Sequence, residues 1–257
     1  MQTWTERIAL RHLTPQPRVA RLREPQGHDE LALAGVDTLA AVQLLDRLLD
    51  GLDSSAAMLS ASDRDAAFAA LHRGLWGDHI LSSLACGACG AMYDLSFALS
   101  ALQRQLLQAA EAVQVIAPRE LEDVQGVRWH LPSADEEDAA AQLGVEAGRA
   151  QLLALVSAAN AAQRHACDRL ETLAPLIDVD LDTRCAECGQ PQQARFDIQS
   201  FVLQRLLDER EAVLGEVHAL AGGYGWSLQE ILSLPRSLRR SLVQRLAAAQ
   251  PTASAFG

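Results

Sequence analysis

Four cysteines stand in two pairs of one form, Cys86-Gly-Ala-Cys89-Gly90 and Cys185-Ala-Glu-Cys188-Gly189. Thiolates at i and i+3 on a tight turn can grip one metal ion, and the glycine after each pair can take the positive φ that such a turn needs. Each pair is half of a tetrahedral shell. The pairs lie 99 positions apart, and no His-x3–5-His or further Cys-x-x-Cys stands nearby to complete two separate sites. Either the pairs converge on one zinc ion held by Cys86, Cys89, Cys185 and Cys188, or each draws ligands from elsewhere, with His79 and Cys167 the near candidates. A third reading leaves free thiols in ordinary hairpins. A redox Cys-x-x-Cys opens a helix, whereas here a second apolar strand follows each pair. Matching half-sites favour one shared structural zinc, whose closed shell leaves no position for a reactive water.

The elements that would hold these thiols repeat. Ile80–Ala85 and Met92, Tyr93, Leu95 and Phe97 flank the first pair as strands, with a helix running to about Val113. Leu176, Ile177, Val179 and Leu181, then Arg195-Phe196-Asp197-Ile198, flank the second pair, and a long helix follows over about Gln199–Ala221. The expected fold is mainly α with small β-ribbons, a duplicated strand–Cys-x-x-Cys-Gly–strand–helix plan around a zinc-ribbon-like four-cysteine site. Four segments follow: an irregular, proline-bearing arm over 1–29, a first half over 30–115, a second half over 116–221, and a C-terminal helix-turn-helix and tail over 222–257, with no Gly/Ser-rich linker between the halves and a single merged domain left open. Apolar periodicity places one helix over Asp37–Leu49, stopped by Gly51, and another capped by Ser62. Gly126–Pro132 alternates as a short strand, and Ser133 caps a helix whose start, Asp135–Asp138, reads as a solvated acidic turn.

With 257 residues the chain can bury a core without disulfides. Its net charge is −11, all 22 basic residues are Arg, and that balance argues against coating nucleic acid or an anionic membrane. No apolar run approaches the roughly 20 residues of a membrane span, and Met1–Gln26 lacks the apolar stretch of a secretory signal. An odd count of five cysteines, four of them in pairs of metal-ligand spacing, favours a reducing compartment, so a cytoplasmic location is expected. There is no Gly-x-x-x-x-Gly-Lys, Gly-x-Ser-x-Gly or His-Glu-x-x-His. Cys167 reads as a small core residue, and His12, His28, His72 and His130 as surface or satisfied-core residues.

The most distinctive stretch begins at Glu216-Val-His: helix, a stop at Gly222 and Gly223, Tyr224-Gly-Trp226, a short helix opened by the capping box Ser227-x-x-Glu230, then Pro235 in the first turn of an Arg-rich helix. Arg236, Arg239 and Arg240 fall on one helical face, read either as docking onto an acidic partner patch or as a solvated helix end. Tyr224 and Trp226 pack the turn or anchor an interface. The short helix, Leu228–Leu234, presents no basic residue to read a base edge.

Glu216-Val-His, Leu220-Ala221, Tyr224-Gly-Trp-Ser227, Glu230-Ile-Leu232 and Leu234 with Arg239-Arg240 resemble the C-terminal signature of baseplate and hub-assembly proteins from contractile-tailed phages and phage-tail-like injection systems. The resemblance extends upstream through both Cys-x-x-Cys-Gly pairs and Val127–Pro132, over about residues 35–246, with Gly87 and Ala186 where such sequences often carry Pro. It implies a non-enzymatic baseplate or hub component or assembly factor. Its partners would be other baseplate, hub or tube proteins, and its location the cytoplasm during assembly or the particle itself. The rival reading is a zinc-ribbon and helix-turn-helix DNA-binding regulator, favoured by the positive final helix and opposed by the acidic total.

Overall fold

Alternation of Ile8 and Leu10 with Ala20 and Leu22 creates a buried stripe where an irregular arm was expected. The computed structural model describes residues 4–16, 18–156 and 163–249, the side chains of 163–167 excepted. β1 (Thr5–Leu10) and β2 (Arg18–Arg23) form an antiparallel hairpin, with Pro15 in the connection. The apolar stripe faces inward while arginines alternate outward, so the Arg-rich composition conceals the strands. α1 (Gly27–Leu31) follows, then α2 (Thr38–Leu48), whose N-cap Asp37 accepts from the Ala40 N–H at 2.8 Å. That helix ends before Gly51 because β3 (Leu49–Asp50) pairs with β2.

α3 (Ala61–Trp76) crosses the centre, burying Ala67, Phe68, Ala69, Ala70 and Leu71. Its cap is Ser60, accepting from the Asp63 N–H, and not Ser62, whose hydroxyl donates to Pro175 O at 2.9 Å. Asp63 in turn accepts from the Arg11 and His12 N–H groups, fastening the N-terminal hairpin to the helix start. Then come β4 (His79–Ala85), β5 (Met92–Ala98) and α4 (Leu99–Ala109), the helix ending before Val113.

A small sheet of β6 (Gln114–Ala117), β7 (Glu120–Glu122) and β8 (Arg128–His130) leads to α5 (Ala134–Ala141), capped by the Ser133–Glu136 box, then α6 (Val145–Val156) and α7 (Gln163–Leu173). Leu121, Trp129, Leu131, Val156, Leu173 and Ala174 form their own core. β9 (Asp178–Arg184) and β10 (Pro191–Asp197) make the last hairpin. The long helix expected after it is two, α8 (Ile198–Asp208) and α9 (Arg210–Tyr224), broken at Glu209. α9 runs through Gly222 and Gly223 and stops at Gly225, and the missing Cβ of Gly223 lets α11 (Arg236–Ala249) approach with Leu246, after α10 (Leu228–Leu232).

About half of the chain is helical, and the sheets among the described residues are small and antiparallel. The main core draws on Ile8, Leu45, Phe68, Ile80, Phe196 and Leu206 together, so it crosses the expected boundary at 115/116. Among the described residues no helix is long and apolar enough to cross a membrane.

Candidate metal centre

The two thiol turns are built alike. In the first, the Cys86 N–H donates to Ala91 O (2.9 Å) and the Gly90 N–H to Cys86 O (2.9 Å). In the second, the Cys185 N–H donates to Gln190 O (3.1 Å) and the Gly189 N–H to Cys185 O (3.0 Å). Each turn closes on a glycine of positive φ, 72° at Gly90 and 71° at Gly189, where a side chain would strain the backbone. The flanking strands are seven residues each and the helices after them eleven.

The hairpins bring their tips together. Cys86 Sγ lies 3.7 Å from Cys188 Sγ, Cys89 Sγ lies 3.8 Å from Cys185 Sγ, and all four sulfurs fall within 4.8 Å of one another. A tetrahedron of sulfurs about 2.3 Å from a central ion has edges of about 3.8 Å. A disulfide would need about 2.05 Å, and all four thiols are free. The cluster is therefore close enough to coordinate one metal ion with both pairs. Cys86 and Cys185 are buried against Tyr93 and Leu84, while Cys89 and Cys188 are exposed. A second link joins the tips: the Gly87 N–H donates to Gln192 Oε1 at 3.1 Å.

Electrostatics favour a cation at the centre. Backbone N–H groups of Cys89 and Ala88 aimed at Cys86 lower its thiol to about 6. The Ala91 N–H likewise favours a Cys89 thiolate, but the crowding of Cys188, Cys86 and Cys185, with burial, pushes Cys89 up to about 12. Four thiolates at these distances repel one another unless a positive charge sits among them.

Aromatic contacts and two carboxylates, the buried Asp65 and the half-buried Asp78, hold the hairpin roots. Phe97 of β5 meets Phe196 of β10 edge to face, centroids 5.0 Å apart, and Phe196 meets Phe201 at 5.4 Å. Asp65 accepts from the Ile177 N–H at 2.7 Å just before β9, and burial raises its pKa to about 7. Beneath β4, Asp78 accepts from both the N–H and the hydroxyl of Ser100.

No family model, curated protein or solved structure matches the chain.

The C-terminal arginines are corrected by the structure. Arg236 and Arg239 are 2 % and 0 % exposed, so neither forms a free docking face nor solvates a helix end. Arg236 pairs with Glu30 (2.6 Å) and Glu209, and Arg239 with Glu30 and with Glu216 (2.5 Å). Arg240, partly exposed, bonds Glu209 at 3.0 Å and Glu216 at 3.1 Å. Burying guanidinium groups is tolerable only with such pairing, and Glu30 supplies it from more than 200 positions upstream. Glu209 and Glu216, seven apart on one helix face, were a readable signal for this latch. Tyr224 and Trp226 stack on each other (4.8 Å, 21°) and stand 39 % and 36 % exposed in a run, Ala221–Glu230, that is exposed throughout.

The remaining candidates sit apart from the cluster. His130 bonds Glu120 (2.6 Å) and Glu136 (3.2 Å), His12 bonds Ser60, and the exposed His28 bonds Leu232 O. His72 is fully buried between Trp76 and Phe201 with neither ring nitrogen hydrogen-bonded, and burial lowers its pKa to about 4, which corrects the satisfied-core reading. Of the acidic helix start, Asp135 and Asp138 are exposed as expected, whereas Glu136 and Glu137 are engaged by Arg119 and the buried Arg64. The Cys167 side chain lies outside the described residues.

Proposed function

We propose that the chain is a non-enzymatic component or assembly factor of a contractile injection apparatus, acting at the baseplate or hub, and that its four cysteines hold one structural zinc ion. One observation carries the metal reading: two sulfur pairs across hairpins 99 positions apart stand at 3.7 and 3.8 Å, close to the edge of a tetrahedral shell, and all four sulfurs lie within 4.8 Å. An all-thiolate set suits zinc, which supplies a cross-link here rather than a reactive water. Equal strand and helix lengths around the two pairs favour an internal duplication of one strand–Cys-x-x-Cys-Gly–strand–helix unit.

The baseplate reading rests on the resemblance of the stretch from Glu216 to Arg240. Two physical features support it. The buried Glu30–Arg236–Arg239 latch holds that stretch firmly, and the aromatic turn it carries is turned outward. Tyr224 and Trp226 are the side chains available there to anchor a protein partner. A DNA-reading role loses its main support, since Arg236 and Arg239 are consumed inside the molecule.

The test is purification of contractile particles from cells carrying a tagged chain, with and without Trp226→Ala. Association with baseplate, hub or tube proteins that weakens in the variant is expected. Sequence-selective duplex binding at physiological salt, lost in Arg240→Ala, would favour the regulator instead.

A further inference from the structure

The two hairpins differ most along the free edges of their first strands. In β4 the Leu99 N–H to Asp78 O bond (2.8 Å) and the Cys86 N–H to Ala91 O bond set the phase of the ladder. His79, Leu81, Ser83 and Ala85 therefore turn their backbone groups away from β5. The corresponding bonds of β9, Ile198 N–H to Ile177 O and Cys185 N–H to Gln190 O, turn outward Asp178, Asp180, Asp182 and Arg184. Charges on a free edge repel a further strand, and every such position of β9 is charged. β5 carries Asp94 and β10 carries Pro191 and Arg195 at theirs. β4 has no acid, no arginine and no proline, and Leu81 stands 62 % exposed in the middle of it. Among the described residues β5 is the one strand paired with β4.

Beside this edge a groove of about 860 Å³ runs between the hairpins and α8. Leu81 and Leu84 form one wall, and Leu95, Phe196 and Phe201 supply an apolar lining. Arg205 reaches it with its guanidinium 4.4 Å over the Trp76 ring. Its carboxylate neighbour, Glu209, is 3.9 Å away and already engaged by Arg236, Arg240 and the Trp76 N–H. Arg205 thus shares its one close carboxylate with two other arginines, and partial burial lowers its pKa.

We propose that β4 accepts an extended segment of another protein, apolar at alternate positions and carrying a carboxylate, which pairs with the open edge at Leu81 and Ser83 and lays its side chains along the groove. A row of backbone donors and acceptors two residues apart is complementary to a strand and to little else. The carboxylate would complete the pairing of Arg205. A second copy of β4 would bring none, because that strand contains no acid. The groove stands whether or not the chain serves a baseplate.

The test pans a library of randomised heptapeptides displayed on phage against the purified full chain. Enriched peptides should alternate apolar residues with an acid. A selected peptide should slow hydrogen exchange at the Leu81 and Ser83 amides and not at those of Asp180 and Asp182. Leu81→Asp, which copies the guarded edge, and Leu81→Pro, which removes one outward N–H, should each weaken binding about tenfold or more with folding unchanged. Arg205→Gln should remove the preference for the acid. The proposal fails if nothing is enriched or if binding ignores both Leu81 variants. It also fails if the Leu81 amide is protected without peptide, increasingly with protein concentration, since a second copy would then cover the edge.

Discussion

The β4–β5 and β9–β10 hairpins share strand length, ladder phase and a glycine-closed thiol turn, yet differ in what surrounds these parts. One edge is neutral and the other densely charged. One root rests on a carboxylate shared with Ser100, the other on a buried Asp65 whose pKa burial raises to about 7. The lesson is a division of labour: the turn needs a few local residues to shape a metal half-site, whereas edges and roots answer to neighbours that differ between the halves.

The largest effect should come from the feature that the hairpins share. If both pairs hold one ion, Cys89→Ser and Cys188→Ser, one exposed thiol from each hairpin, should destabilise equally, and the double variant should cost little more than either. Structural zinc in small fingers contributes about 10–16 kcal/mol, so loss of one thiolate should lower Tm by many degrees and make melting insensitive to chelator. Circular dichroism should keep most of its helical signal, because the main core contains none of the four cysteines. Unequal or additive effects would separate the hairpins into independent sites.

The aromatic contact between the roots comes next. Phe196 is buried in the main core, whereas Phe97 packs against it from a partly exposed position. Phe196→Ala should cost about 3–5 kcal/mol in denaturant unfolding and Phe97→Ala clearly less. Equal costs would show the first hairpin to be held as firmly as the second.

The smallest effects should be opposite in sign with pH. Asp65 has a folded pKa raised from 3.8 to about 7, first by burial, so its neutral form is the stable one in the native state. Its contribution is greatest below about pH 4 and is lost as pH rises through about 7. Asp65→Asn keeps an acceptor for the Ile177 N–H and should stabilise the protein at neutral pH by on the order of 2 kcal/mol. At Asp78 partial burial alone would raise the pKa, but the Ser100 hydroxyl and N–H outweigh it and the folded pKa is lowered. Its contribution is present above pH 4 and lost as pH falls, so Asp78→Asn should destabilise modestly at neutral pH. Melts from pH 4 to 8 on both variants check the two signs, and a shared sign would erase the distinction between the roots.

What could be read from the chain was what is local. The Cys-x-x-Cys-Gly turns, the Ser133 cap and the Ser227–Glu230 box each lie within a few residues and appear where expected. Residues whose role depends on distant partners misled. Arg236 and Arg239 look like a surface face until Glu30 meets them. The N-terminal hairpin looks irregular until Asp63 and α3 cover it. Ser62 is a good cap by type, but Ser60 holds the place because its hydroxyl meets the Asp63 N–H while that of Ser62 serves Pro175. Convergence of the cysteine pairs is legible in two matching half-sites with no other complete ligand set nearby, whereas the sulfur spacing depends on how the two hairpins pack.

X-ray absorption at the metal edge of the purified, full-length chain tests that convergence most directly. One zinc per chain with four sulfur neighbours at about 2.3 Å, and no nitrogen or oxygen in the shell, is the expected result. A mixed sulfur and nitrogen or oxygen shell, two ions per chain, or a metal-free protein with its thiols oxidised would contradict a single ion shared by the two hairpins.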